Sequence, residues 1–203
     1  MESIRIDLIE EEYIEVVFDL LSKLKIHSNE SFVHSLDVAE KTLKLSSVFD
    51  IKNGELKRLY TASLLHDIGK LCIDESILHK RDATDAEREF IRFGHIEGTK
   101  NILSEFFDVE LVRLASHHHE RLNNSGYPEH LSAKNLSKLD RILQVADVAS
   151  ALEMSRSYKE AYNREKVIVI LDNLVSRGEL DKKCVKEIEK ILFDSNDKPQ
   201  FGK

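Results

Sequence analysis

Apolar positions recur along this chain at the three-to-four residue spacing of helices, and no convincing two-residue alternation of a strand appears. Ile6, Ile9, Tyr13, Val16, Val17, Leu20 and Leu24 predict a first helix over residues 4–24. Residues 25–29 break the pattern, and Ser28 is the expected N-cap of a second helix through Phe32, Leu36, Val38, Ala39, Leu43 and Leu45. The Asn53-Gly54 turn opens a third helix, with Asn53 as its cap and Leu56, Leu59, Tyr60, Ser63 and Leu64 on its inner face, reaching to about Asp67. An irregular link with a short apolar piece at residues 73–78 follows. Thr84 and Glu87 form a capping box for a helix through Phe90, Ile91 and Phe93 toward Leu103. Asp108 begins a short helix through Leu111, Val112, Leu114 and Ala115, and Ser137 with Asp140 caps one running from Ile142 to Leu152. Two more helices are expected near residues 163–176 and 181–193, with Gly178 ending the first and Asp181 capping the second. The fold class predicted is all-α, with about seven to nine helices.

Composition agrees. Two prolines and seven glycines in 203 residues favour long helices over many short strands. The length suits one large domain or two small ones, and 41% apolar with 33% charged residues is ordinary for a soluble globular protein. A formal net charge of −7 argues against a nucleic-acid polymer or an anionic membrane as partner, because both select for excess Lys and Arg. Cys72 and Cys184 lack CxxC spacing and read as reduced thiols, so the expected location is cytoplasmic. No secretory leader is expected at residues 1–12, no run approaches the roughly 20 apolar residues of a membrane span, and no fused sensor or receiver domain is expected.

The chemistry concentrates in the middle of the chain. His66-Asp67 follows an apolar run, and Lys70 lies three residues past the carboxylate, on a neighbouring part of one helix face. An imidazole, a carboxylate able to bridge two metals and a nearby cation suit metal-assisted phosphoryl hydrolysis. The competing reading is a plain helix C-terminus closed by Gly69. Glu30 and His34, four apart, share a face, and are either a solvated pair or ligands. His95 sits between Gly94 and Gly98; such glycines cost a helix about 0.5–1 kcal/mol each relative to alanine, so they point to close backbone approach or a kink. Of His117, His118 and His119, two could reach one site from a helix end. Tyr127, between Gly126 and Pro128, is a rigidly presented aromatic suited to stacking or to hydrogen bonding a phosphate. Asp147 lies in an apolar stretch and needs a cation, either a metal or Arg141.

The ordered set His34-Ser35, Leu64-Leu65-His66-Asp67-Ile68-Gly69-Lys70, His95 with Gly98, His118-His119-Glu120, Gly126-Tyr127-Pro128 and Arg141-Ile-Leu-Gln-Val-Ala-Asp147 resembles the HD-GYP subgroup of the HD-domain phosphohydrolases. The resemblance covers nearly all of residues 28–181. It implies a single-domain helical bundle of the HD-domain type, divided into an N-terminal helix at 1–27, a metal-dependent phosphohydrolase domain at 28–194 and a polar tail at 195–203. It implies a phosphodiesterase that cleaves cyclic di-GMP to pGpG, and in some members GMP, with a metal-activated water. His34, His66, Asp67 and Asp147 would surround one divalent metal ion, and Asp67, His95, His118 and His119 a second, with Asp67 bridging. Glu30 matches a carboxylate that some members use for a third. Iron or manganese is expected, with zinc or nickel as alternatives.

Asp67 and Lys70 would be the catalytic pair, with Lys70 near the scissile phosphate. Tyr127, Arg121 and Arg141 are the other candidate substrate contacts. A homodimer through the first helix, and signalling proteins docking at the Gly126-Tyr127-Pro128 loop, are the partners to consider. The alternatives are a hydrolase of another nucleotide or cyclic dinucleotide, and a catalytically weak module acting in protein interaction. Three departures from the family pattern bear on this: Asn123-Asn124 where Asp-Gly is common, Ser150 where a second Asp is common, and Arg156-Ser157-Tyr158 where Arg-Pro-Tyr is usual.

Overall fold

A computed structural model describes residues 4–154 and 161–194. Among these residues there are nine α-helices: α1 (Ile14–His27), α2 (Asn29–Ser46), α3 (Asn53–Leu65), α4 (Glu75–Leu78), α5 (Asp85–Ser104), α6 (Val109–Ser116), α7 (Lys138–Glu153), α8 (Arg164–Ser176) and α9 (Lys182–Asp194). The all-α expectation holds; the described residues contain one isolated β-bridge, Asn123 to Ser132, and no strand. No helix among them is long and apolar enough to cross a membrane. The tail at 195–203 and the Arg156-Ser157-Tyr158 departure lie outside the described residues.

Most of the predicted caps form. The Ser28 hydroxyl accepts the Ser31 N–H at 3.2 Å, Thr84 accepts that of Glu87 at 3.2 Å, and Asp108 that of Leu111 at 2.8 Å. Ser137 pairs reciprocally with Asp140, and Asp181 Oδ1 accepts the N–H groups of Lys183 and Cys184. Gly178 ends α8 in the left-handed region, at φ +70°. Two starts differ from the sequence reading. The first helix begins at Ile14, not near residue 4; residues 6–8 and 11–13 make 3₁₀ turns instead. Ile4 and Ile9, which flank these turns, are nonetheless buried, so the apolar spacing there marks core contact without a helix. α3 is capped at Lys52 instead of Asn53, because the Glu55 carboxylate reaches back to the Lys52 N–H at 3.1 Å.

α2 packs against α1, α3 and α7, and their inner faces form one core with Leu21, Leu24, Leu45, Leu59, Leu64, Ile142 and Leu143 fully buried. α1 spends its apolar face, Val17, Leu20, Leu21 and Leu24, in that core. The link after α3 is a 3₁₀ turn, Ile68–Cys72, laid tightly on α5. Thr99 Oγ1 ties the two by accepting the Gly69 N–H at 3.0 Å and donating to the His66 carbonyl at 3.1 Å. The close approach expected around His95 is real at Gly98 and absent at Gly94. A Cβ on Gly98 would stand 2.8 Å from the Gly69 carbonyl oxygen, whereas one on Gly94 would meet nothing nearer than 4.0 Å.

Candidate metal centre

Five elements deliver imidazoles and carboxylates to one buried place. α2 supplies His34, the end of α3 supplies His66 and Asp67, α5 supplies His95, the turn after α6 supplies His118 and His119, and α7 supplies Asp147. Asp67 lies at the middle. Its Oδ2 is 3.5 Å from His66 Nε2 and 3.9 Å from His34 Nε2, while its Oδ1 is 3.9 Å from His95 Nε2 and 4.0 Å from His118 Nε2. The two oxygens thus face two sets of histidines. Ligand atoms fall into two compact groups, His34 with His66 and Asp67, and His95 with His118 and His119, each within 4.8 Å internally. Asp147 accepts from His34 Nε2 at 3.0 Å and lies 3.8 Å from both His66 Nε2 and His119 Nδ1.

The imidazole tautomers follow from their outer nitrogens. Nδ1 of His66 lies 2.8 Å from the Ser63 carbonyl, that of His95 2.6 Å from Ile91, and that of His118 2.6 Å from Ala115. A carbonyl only accepts, so each Nδ1 carries the proton and each Nε2 presents a bare lone pair. Those three Nε2 atoms are buried and have no hydrogen-bond partner. A buried acceptor without a donor costs roughly 1–3 kcal/mol, and three converging on one carboxylate make a ligand set for cations. Burial pushes the imidazoles of His34, His95 and His119 below their ordinary range and that of His118 down to about 3, so they stay neutral. Burial alone would raise the Asp67 carboxyl, but the Lys70 ammonium beside it outweighs burial and holds it ionised; against the same burial, the hydrogen bond from His34 lowers the Asp147 carboxyl. The residues present therefore fit divalent metal ions.

The centre opens into a cavity of about 500 Å³ whose lining includes Glu30, His34, Asp67, Lys70, Arg92, Arg121 and Tyr127. Lys70 Nζ donates to Asp67 Oδ2 at 2.6 Å. Arg121 turns donors to the carbonyls of His118 and Glu120. Tyr127 packs its ring 4.8 Å from that of His119 and 5.3 Å from that of Phe93, with the Arg92 guanidinium 4.5 Å above it. Its expected stacking surface is thus already engaged by the protein. Arg141 is a correction: it is absent from the cavity and does not pair with Asp147. Its guanidinium is committed to Asp181 at 3.1 Å and to the carbonyls of Ala133 and Leu136, which hold it beneath the loop ahead of α7. His117 also turns away, to Arg113 and Asp140. Cys72 is exposed and belongs to neither ligand group.

Three residues take roles that the motif reading did not assign: Glu120, quoted within the motif, Ser150, noted as a departure from it, and Arg92, outside it. Ser150 Oγ lies 2.9 Å from His34 Nδ1. Glu120, fully buried, accepts the N–H groups of Glu129 at 2.6 Å and Leu131 at 2.8 Å and so folds the Tyr127 loop back over the centre. Arg92 lies three residues before His95, a helical spacing that could have marked it.

Among known proteins, a family model described as HD domain matches residues 15–183. A 3′3′-cGAMP-specific phosphodiesterase of Vibrio cholerae is 33% identical over 156 residues, which cover 75% of this chain and 30% of that protein. Another 3′3′-cGAMP-specific phosphodiesterase of that organism is 33% identical over 84% of this chain and 40% of its own length. A cyclic di-GMP phosphodiesterase of Pseudomonas aeruginosa is 31% identical over 73% of this chain and 36% of its length. The chain thus spans well under half of these relatives. In fold it is similar to the HD domain of the Listeria monocytogenes phosphodiesterase PgpH, solved with cyclic-di-AMP, at TM-score 0.65, 17% identity, 90% of this chain and 100% of that one. It is also similar to an HDGYP protein of Bdellovibrio bacteriovorus at TM-score 0.63, 18% identity, 79% of this chain and 51% of that one.

Proposed function

The chain belongs to the HD-domain family, in its HD-GYP subgroup, and from that premise we propose that it is a metal-dependent phosphodiesterase acting on guanine-containing cyclic dinucleotides, cyclic di-GMP or 3′3′-cGAMP. The observation that carries this is the convergence of three unpartnered imidazole nitrogens on the two oxygens of Asp67. We assign His34, His66, Asp67 and Asp147 to one ion and Asp67, His95, His118 and His119 to a second, with Glu30 on the cavity wall as the donor for a third. Imidazole and carboxylate donors without thiolate suit iron or manganese, with zinc and nickel as alternatives.

Such ions, when bound, activate water for in-line attack on phosphorus and stabilise charge on its non-bridging oxygens. The chain's own groups do the rest. The carbonyls behind His66, His95 and His118 lock each ring with its lone pair inward. Lys70, held beside Asp67, presents a cation to the scissile phosphate. Arg121 is the second substrate contact assigned on this wall.

The test is to purify the protein with its metals retained and to assay cyclic di-GMP and 3′3′-cGAMP by separation of the linear products. Turnover that falls at least a hundredfold in Asp67→Ala is expected. Fully metallated protein that cleaves neither substrate would overturn the assignment.

A further inference from the structure

We propose that Arg88 and Arg92 of α5 bind the second phosphodiester of the ring, the one that is not being cut. The inference rests on the cyclic-dinucleotide reading, because such a ring carries two phosphates and the metal centre engages one. His95, Arg92 and Arg88 are spaced by three and then four residues, so they form one stripe on α5. At about 1.5 Å per residue the stripe climbs roughly 10 Å from the ligand His95 to Arg88. All three residues line the same cavity.

What sets the two arginines apart is what the neighbouring cations are already doing. Lys70 is paired with Asp67 at 2.6 Å and Lys80 with Glu87 at 2.7 Å, and Arg121 donates to two backbone carbonyls. Arg88 has one ion pair among the described residues, a 3.8 Å approach to a fully exposed Asp85. Such a contact is worth little in water. Arg92 has no carboxylate in ion-pair range among the described residues; its guanidinium lies 4.5 Å over the Tyr127 ring and 5.8 Å from that of Phe93. Tyr127, which also has a side-chain hydrogen bond with Arg92, fixes the guanidinium without neutralising it, and the remaining N–H groups of that guanidinium suit an anion. Tyr127 thereby acts as a positioning residue, placed between a metal-side histidine and a phosphate-side arginine. A chain of net charge −7 nonetheless places both Arg88 and Arg92 in the lining of the cavity that opens on the centre, which favours a substrate with more than one negative charge.

The experiment compares two diesters in metal-loaded wild type, Arg88→Ala, Arg92→Ala and Arg92→Lys, with bound metal quantified in each. One substrate is the cyclic dinucleotide that wild type cleaves better; the other is bis(p-nitrophenyl) phosphate, which has a single phosphate. Loss of uniform binding raises KM and spares kcat. Each alanine variant should raise KM for the cyclic dinucleotide about tenfold, the worth of a charged hydrogen bond. The kcat on it, and kcat/KM on bis(p-nitrophenyl) phosphate, should stay within about twofold, and Arg92→Lys should recover part of the loss. An unchanged KM, or an equal loss on both substrates, overturns the proposal. If Arg92→Ala loses metal, Arg88→Ala, which does not touch Tyr127, decides. Wild type that cleaves bis(p-nitrophenyl) phosphate but no cyclic dinucleotide overturns the substrate reading itself, a result distinct from unaffected variants of an active enzyme.

Discussion

Gly69 and Gly98 meet backbone to backbone. A Cβ on Gly69 would fall 1.8 Å from the His95 carbonyl oxygen and 2.2 Å from the Thr99 amide nitrogen, positions that only backbone movement could clear. This contact sets the distance between the 3₁₀ turn after Asp67 and the helix that carries His95, so it spaces the two halves of the centre. Gly69→Ala should destabilise the protein by about 3 kcal/mol, the upper end of overpacking costs, and weaken metal binding with it. Gly94→Ala, on the open side of the same helix, should stabilise by about 0.5–1 kcal/mol through helix propensity. Denaturant unfolding of the two variants checks the contrast; equal effects would show that the contact does not set the spacing.

Glu120 offers a second test away from the ligands. Its buried carboxylate takes two backbone N–H groups from the loop after Pro128. Glu120→Gln keeps the shape but turns a donor toward two donors. A loss of about 2–3 kcal/mol is expected, in the range for hydrogen bonds to a charged group. Limited proteolysis should then cut near residues 129–131 first. Unchanged stability and an unchanged cleavage pattern would remove Glu120 from this role.

The sequence made several candidate ligands legible where a helix end or an apolar run frames a polar group, because there pattern and chemistry coincide; His95 was marked instead by its flanking glycines. His66-Asp67 after Leu64-Leu65, and Asp147 inside α7, are the clearest instances. Arg141 misled for the same reason. It shares the motif with Asp147, yet its side chain turns to Asp181, forty residues on, a partner no local spacing announces. Residues 4–13 misled through periodicity, since buried Ile4 and Ile9 reach the core from positions flanking 3₁₀ turns, with no helix there. Arg92 stayed hidden because its role depends on Tyr127, which arrives from a loop thirty-five residues later.

Acid should destabilise the metal-free protein. The unfolded chain binds protons on its histidines near pH 6.5, whereas His118 in the fold resists protonation down to about 3, with His34, His95 and His119 lowered as well. Between those limits the unfolded state holds more protons, so stability is full above pH 6.5 and falls as pH drops. Each imidazole kept neutral contributes a slope of about 1.4 kcal/mol per pH unit. Below about 3.8, the depressed carboxyls of Asp67 and Asp147 add to the loss. Urea unfolding of chelator-treated protein at pH 7, 6 and 5 measures this, and a flat profile would contradict the burial of neutral imidazoles.

Ser150 controls the proton on His34. As the structure stands, ionised Asp147 can only accept, so His34 Nε2 donates to it at 3.0 Å and Nδ1 accepts from the Ser150 hydroxyl at 2.9 Å. To ligate a metal through Nε2, the ring must move its proton to Nδ1, and the serine oxygen must then accept. A hydroxyl serves both states; an aspartate, the residue common here in the family, would favour only the second. Ser150→Ala leaves Nδ1 without a partner and should weaken metal binding by about tenfold, as loss of an outer hydrogen bond to a ligand does. Ser150→Asp should tighten it by holding the proton on Nδ1. Competition against a chromogenic chelator reads both, with bis(p-nitrophenyl) phosphate hydrolysis as a parallel signal. Equal affinities in wild type and Ser150→Ala would mean that Asp147 alone orients His34, and the serine would be a packing residue.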